Sequence, residues 1–225
     1  MTASLQRAVE VMDRVRSPGG CPWDAAQTHE SLTRYLLEEA YEVIEAIETG
    51  NRSLLREELG DLLLQVLFHA RIAQEAPGDE AFDIDDVAAD LVDKLVRRHP
   101  HVFAGAAAGS AAELNETWER QKVAEKGRTS AVDGVPVHQP ALALAAKLVS
   151  RAQRSGLDAT AVAALPPPGA TAQQGVDVGT RLFALVREAV AEGVDPEAAL
   201  RATARRYRNA ILAAETAAPA PSDDA

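Results

Sequence analysis

Between Arg34 and Arg52 the chain carries Glu38, Glu39, Glu42, Glu45 and Glu48 and neither lysine nor arginine. Apolar residues fill the gaps at helical spacing. Leu36, Leu37, Ala40, Val43, Ile44 and Ile47 fall within about a third of the circumference at ~100° per residue, and Tyr35, Glu39, Glu42 and Ala46 lie on the other side. The stretch therefore reads as a helix with one packing face and one charged face. Like charges three or four apart on a helix cost roughly 0.2–0.5 kcal/mol per pair. The cluster thus opposes the helix that the apolar spacing specifies, unless something cationic binds it or the face is fully solvated.

A turn at Thr49-Gly50-Asn51 leads to a second long pattern, from about Ser53 to Ala76. Leu59, Leu62, Leu63, Val66, Leu67 and Ala70 form its main stripe. Leu54, Phe68 and Ile72 flank the opposite side, around Glu58, Asp61 and Gln65. A helix that is apolar nearly all round is normally buried, and buried unpaired carboxylates demand a proton, a cation or a metal. Glu39/Glu42 and Glu58/Asp61 both have the i, i+3 spacing that puts two carboxylates on one helical face. Four oxygen ligands from two facing helices suit a hard cation, Mg²⁺ or Mn²⁺. The bland alternative is a solvated acidic surface. His69, two turns beyond Asp61, reads as a packed or solvated residue rather than a ligand.

The remaining chain supplies further helices and few other signals. Leu5, Val9, Met12 and Val15 mark a helix over about Ser4 to Arg16, ended by Ser17-Pro18-Gly19-Gly20. A loop, Cys21-Pro22-Trp23-Asp24, follows, and Asp24 or Thr28 is placed to cap the next helix. Beyond Pro77-Gly78, a helix over about Asp85 to Arg98 begins with acids and ends with cations, as the helix dipole prefers. Ala104 to Ala112 reads as a small-residue loop, and a short helix carries Leu114, Trp118 and Lys122. No stretch reads as a convincing strand, so the fold class is all-α, a helical bundle.

With a formal net charge of −11, the chain is a poor match for nucleic acid, because Lys and Arg must displace counterions from phosphates there. Cys21 is the only cysteine, which precludes an intrachain disulfide and fits a reducing cytoplasm. No leader pattern opens the chain, and no apolar run reaches the ~18 residues a membrane span needs. The expectation is a soluble cytoplasmic protein without a membrane partner.

Several separate motifs occur together in one order. They are Gly20-Cys21-Pro22-Trp23-Asp24 with Gln27-Thr28, then Glu38-Glu39 and Glu42, then Glu57-Glu58-Leu59-Gly60-Asp61-Leu62, then Asp93-Lys94 through Arg97-Arg98-His99-Pro100-His101-Val102-Phe103, then Trp118 and Lys122. Over about residues 5 to 125 this order resembles the MazG family of nucleoside triphosphate pyrophosphohydrolases, an all-α superfamily. The resemblance implies hydrolysis of nucleoside triphosphates to monophosphate and pyrophosphate, and a homodimer. It implies Glu39, Glu42, Glu58 and Asp61 as Mg²⁺ ligands, with Glu38 as an adjoining base or extra ligand. Lys94, Arg97, Arg98, Trp118 and Lys122 are implied as nucleotide-binding positions, with Tyr35 lining the same pocket. Trp23 is a second aromatic available for stacking on the base.

The expected organisation is a catalytic module over residues 1–126, a connector over 127–140, and a degenerate second module over 141–216. The second module has a mobile linker at about 159–175, and the tail over 217–225 is expected to be disordered. In the second module Val178-Gly179-Thr180-Arg181-Leu182-Phe183 resembles the Gly60-Asp61 stretch, but Thr180 stands where the acid should be. One chain is thus expected to hold one site, serving broad-specificity clearance of nucleotides. The alternative is a non-catalytic helical module for oligomerisation or partner binding. A third reading, a phosphohydrolase releasing orthophosphate, differs in its product.

Overall fold

The computed structural model describes residues 3–125, 127, 129–158 and 174–217. Among them the regular structure is helical throughout, with no strand, as the sequence leads one to expect. The chain divides into two compact units, Met1–Leu114 and Asn115–Ala225. The division falls earlier than the expected boundary at residue 126, in the first turn of a helix.

The first unit comprises α1 (Ala3–Arg16), a one-turn α2 (Pro22–Ala25), α3 (His29–Thr49), α4 (Arg52–Ala73), α5 (Ile84–Arg98) and a one-turn α6 (Pro100–Phe103). Local chemistry sets the ends of the long helices. Thr28 caps α3, its hydroxyl accepting from the Ser31 amide while Ser31 Oγ accepts from the Thr28 amide, so two otherwise orphaned donors are satisfied. Gly50 ends α3 at φ +69°, a left-handed conformation that glycine adopts without a Cβ penalty. Asn51 then starts α4 by accepting from the Leu54 amide. Asp83 caps α5 reciprocally with Asp86. The short helices α2 and α6 lie in stretches that carry no helical period, and a proline in the first turn begins each of them.

The α3–α4 hairpin is the centre of this unit, with α1 and α5 packed against α4. Its core is Met12, Leu32, Leu67 and Phe68, surrounded by Val9, Val15, Leu63, Ile72 and Ile84. This arrangement turns the packing face of α3 part-way from the expected apolar stripe, of which Ala40, Val43 and Ile44 remain half-buried. Ala46, on the charged side, is buried at 1 % exposure, whereas Leu37 and Ile47, on the apolar side, are 57 % and 59 % exposed. On α4, Leu59 and Val66 are likewise exposed, and Glu58, Gln65, Phe68 and Ala70 are buried. The physical reason is that Glu39, Glu58 and Asp61 occupy part of the seam between the two helices, which leaves Leu37 and Ile47 of α3 and Leu59 and Val66 of α4 outward while Leu63, Leu67 and Ala70 stay packed.

The second unit contains most of α7 (Ala111–Glu125), then α8 (Ala141–Arg154), α9 (Gln174–Ala191) and α10 (Pro196–Ala217). Val149 of α8 and Val186 of α9 are fully buried, and α8 packs on both α9 and α10. The buried Arg151 donates from Nη1 to the carbonyls of Ala131 and Asp133 at 3.2 and 2.7 Å. Arg187 of α9 pairs with Asp158 at 2.8 Å. Thr180 lies on α9 and Arg205-Arg206-Tyr207 on α10. Residues 159–173, most of the expected linker, and 218–225, all but the first residue of the expected tail, lie outside the described residues, while Ala217 ends α10.

Candidate active site

Helical spacing and a two-residue turn suffice to bring the acids together. Tyr35, Glu39 and Glu42 follow one another at one-turn intervals on α3, and Glu58 and Asp61 do the same on α4. Oxygens of Glu39, Glu58 and Asp61 all lie within 4.8 Å of one another. Glu58 is only 8 % exposed, and Glu39 and Asp61 are half-buried. Glu42 is exposed and stands outside this group of three, but it lies near enough for its charge to act on both Glu39 and Glu58. Glu38 is exposed.

The electrostatics follow from that crowding. Burial, then the charges of Asp61 and Glu42, push the Glu39 carboxyl above the usual carboxylate range. Glu58 is pushed up by burial first, then by Glu42 and Asp61. Like charges gathered in a partly buried place disfavour full ionisation, so Glu39 and Glu58 hold their protons more tightly than ordinary glutamates do. A divalent ion relieves the same repulsion. The donor set is all oxygen, which fits a hard cation such as Mg²⁺ better than a soft one. Gln65, one turn beyond Asp61, is buried with its Oε1 unpartnered, a further oxygen on the same side of α4.

Trp23 meets Tyr35 edge to face, with ring centroids 6.0 Å apart and planes at 72°, and Arg34 lies over the Tyr35 ring, also contacting its hydroxyl. Trp23 is 52 % exposed, so it is not a packing plug. Lys94 and Arg97 are exposed and Arg98 half-buried on the last turns of α5, which packs on α4. Trp118 is half-buried on α7, in the other compact unit. Lys122 is on the same helix, and its side chain lies outside the described residues.

His69 is no ligand of the cluster. Its Nδ1 faces that of His29 at 2.7 Å, and burial, then the neighbouring His29, lowers its pKa. Sequence reasoning passed over Arg16, whose guanidinium is buried and reaches Glu75 through Nε and Nη2, both at 2.8 Å. At the end of α1 a cation reads as an ordinary dipole partner, and no local signal announces a contact 59 residues away.

An all-α unit whose central hairpin gathers Glu39, Glu58 and Asp61 in one place defines a class, that of helical bundles with a carboxylate cluster between facing helices. Within that class, the model of the MazG nucleotide pyrophosphohydrolase domain matches residues 27–103. The nucleoside triphosphate pyrophosphohydrolase/pyrophosphatase MazG of Thermotoga maritima is 39 % identical over 90 % of this chain and 82 % of its own length. An uncharacterised 26.1 kDa protein in the blaB 3′ region of Streptomyces cacaoi is 55 % identical over 95 % of this chain and 83 % of its own length. The nucleoside triphosphate pyrophosphohydrolase of Mycobacterium tuberculosis is 53 % identical over 69 % of this chain, and the match spans 46 % of that longer relative. The chain belongs to the MazG family.

Proposed function

We propose that this chain hydrolyses nucleoside triphosphates between the α- and β-phosphates, releasing the nucleoside monophosphate and pyrophosphate. The observation that carries this reading is the convergence of Glu39, Glu58 and Asp61 on one hairpin, with the charge of Glu42 acting on two of them. It is supported by the relatives that bear the name of that activity. Glu39, Glu42, Glu58 and Asp61 would hold Mg²⁺, with Mn²⁺ as a substitute. Bound there, the ion supplies charge neutralisation at the phosphates and acidifies an attacking water. Glu38, adjoining but exposed, is available as a base at the rim. Lys94, Arg97, Arg98 and Lys122 are the cations assigned to the phosphates.

Tyr35, Trp23 and Trp118 are the aromatic groups assigned to the base. Stacking tolerates any base because every base has a π-face, so broad specificity towards canonical and damaged nucleotides follows, consistent with nucleotide-pool clearance in the cytoplasm. No helix among the described residues is long and apolar enough to cross a membrane, and the net charge of −11 disfavours nucleic acid.

The outward apolar faces of α3 and α5, with Leu37, Ile47, Leu91 and Val92 all exposed, support a homodimer. The same faces are what a purely oligomerising or partner-binding module would present, and the inward acids favour the catalytic reading over that one. The deciding assay incubates the chain with Mg²⁺ and a panel of nucleoside triphosphates and identifies the products. Pyrophosphate with monophosphate is expected. Orthophosphate with diphosphate, or no turnover, would overturn the proposal.

A further inference from the structure

The segment between α1 and α3 is fastened far more tightly than a surface connection needs. After α1 the backbone doubles back on itself. A Cβ on Gly20 would meet the Val15 carbonyl oxygen at 2.1 Å and that of Arg14 at 2.5 Å, and the Cys21 amide donates to Val15 O at 2.7 Å. Arg16 completes the attachment. From its Nη1 it donates to the carbonyls of Asp24 at 2.6 Å and Gln27 at 3.1 Å. Its Nε and Nη2 grip Glu75, and its guanidinium carbon stands 5.8 Å from the centre of the Phe68 ring. One buried planar cation thus joins the residues around α2 to the end of α4, in a fork that a point charge does not reproduce.

What this fastening holds is Trp23. Its carbonyl accepts from Gln27 Nε2 at 2.9 Å, so the backbone on both sides of it is anchored, yet the indole itself is half open to solvent. Rigid attachment that served only stability would be expected to bury the largest apolar side chain of the segment. Here the indole instead stands edge-on to Tyr35, and Tyr35 is one helical turn, about 6 Å of rise, from Glu39. A flat aromatic group stacked on Trp23 would therefore stand, across Tyr35, within a triphosphate's reach of the carboxylate cluster.

We infer that Arg16 is a positioning residue for nucleotide binding, which acts by holding Trp23 at a fixed place beside the cluster as the wall on which the base stacks. This inference rests on the proposed nucleotide substrate and says which residue sets the base subsite. It does not depend on turnover, so binding can test it separately.

The test measures dissociation constants by calorimetry, with Mg²⁺ present, for two probes. One is the α,β-methylene analogue of ATP, which has a base and resists hydrolysis at that bond. The other is inorganic tripolyphosphate, which has none. Arg16→Lys, Trp23→Ala and the double variant are compared with the parent. Each single change should weaken the analogue by about tenfold, the scale of one lost stacking contact, and leave tripolyphosphate within about twofold. The double variant should bind the analogue no worse than Trp23→Ala, because Arg16 works through the indole. Multiplying effects in the double variant, or equal weakening of both probes, would overturn the inference, since a merely structural arginine would disturb the whole site. Should Arg16→Lys fail to fold, Gln27→Ala loosens the same turn without touching the guanidinium. It should weaken the analogue several-fold and spare tripolyphosphate, and an unchanged analogue affinity would count against the inference. A parent chain that binds both probes but releases no pyrophosphate sinks the proposed activity and leaves this assignment standing.

Discussion

Glu58 shows how one residue is placed at a cost to the fold. Its pKa is raised by burial and by Glu42 and Asp61, so the folded metal-free chain binds its proton more tightly than the unfolded chain does. The stability linked to that proton is full below the ordinary carboxylate value of 4.5 and is lost as pH rises through the raised folded value. Metal-free Glu58→Gln should therefore melt higher than the parent at neutral pH, and the gap should close as pH falls towards 4.5. His69 acts in the opposite sense, since its lowered pKa makes stability fall as pH drops below its ordinary value of 6.5. Comparing variant with parent cancels that contribution. Adding Mg²⁺ should raise the melting temperature of the parent and not of the variant, because a ligand that binds only the folded state stabilises it. Asp61→Ala should lower kcat for pyrophosphate release by about a hundredfold or more with helical content unchanged by circular dichroism. Full turnover by that variant would remove Asp61 from the site.

At the scale of the helix, the boundaries were legible and the facing was not. Thr28, Asn51 and Asp83 cap α3, α4 and α5 through contacts within three residues, and such signals are complete in the sequence. Periodicity locates a stripe but does not say what covers it. On α3 Leu37 and Ile47 of the apolar stripe are exposed while Ala46 on its other side is buried and Ala40, Val43 and Ile44 are half-buried, so the packing face is turned part-way towards the side of Glu39 from the one that periodicity indicates. The acids were recognisable as a site because of their i, i+3 pairs on two neighbouring helices. Arg16 was not, because its partners Asp24, Gln27 and Glu75 become neighbours only once α1, α2 and α4 are assembled. The turn that joins the hairpin is testable alone. A Cβ on Gly50 would meet no atom within 4 Å, so Gly50→Ala would pay only for the left-handed backbone. Chemical denaturation should show a loss of about 1 kcal/mol, and a neutral result would mean the turn relaxes to another conformation.

For the molecule as a whole, an outward apolar stripe needs a cover, and a second copy of the chain is the proposed one. Native protein should run as a dimer in light scattering coupled to gel filtration, and Ile47→Glu, on the outer face of α3, should shift it to monomer at the same concentration. A monomeric parent would refute the homodimer. The division into two units falls after Leu114, and helix spacing gave no sign that it lies within α7, because the apolar period runs through that helix without a break. The hairpin itself bears on how the protein comes to be folded. Every acid assigned to the centre lies between Glu39 and Asp61, on two helices closed by a single short turn. Contacts so near in sequence form at the fast end of the folding time range, before pairings that must close long loops. A cation captured by the nascent hairpin would hold α3 against α4 while α1 and α5 are still searching, so the proposed ion would also serve as a folding nucleus.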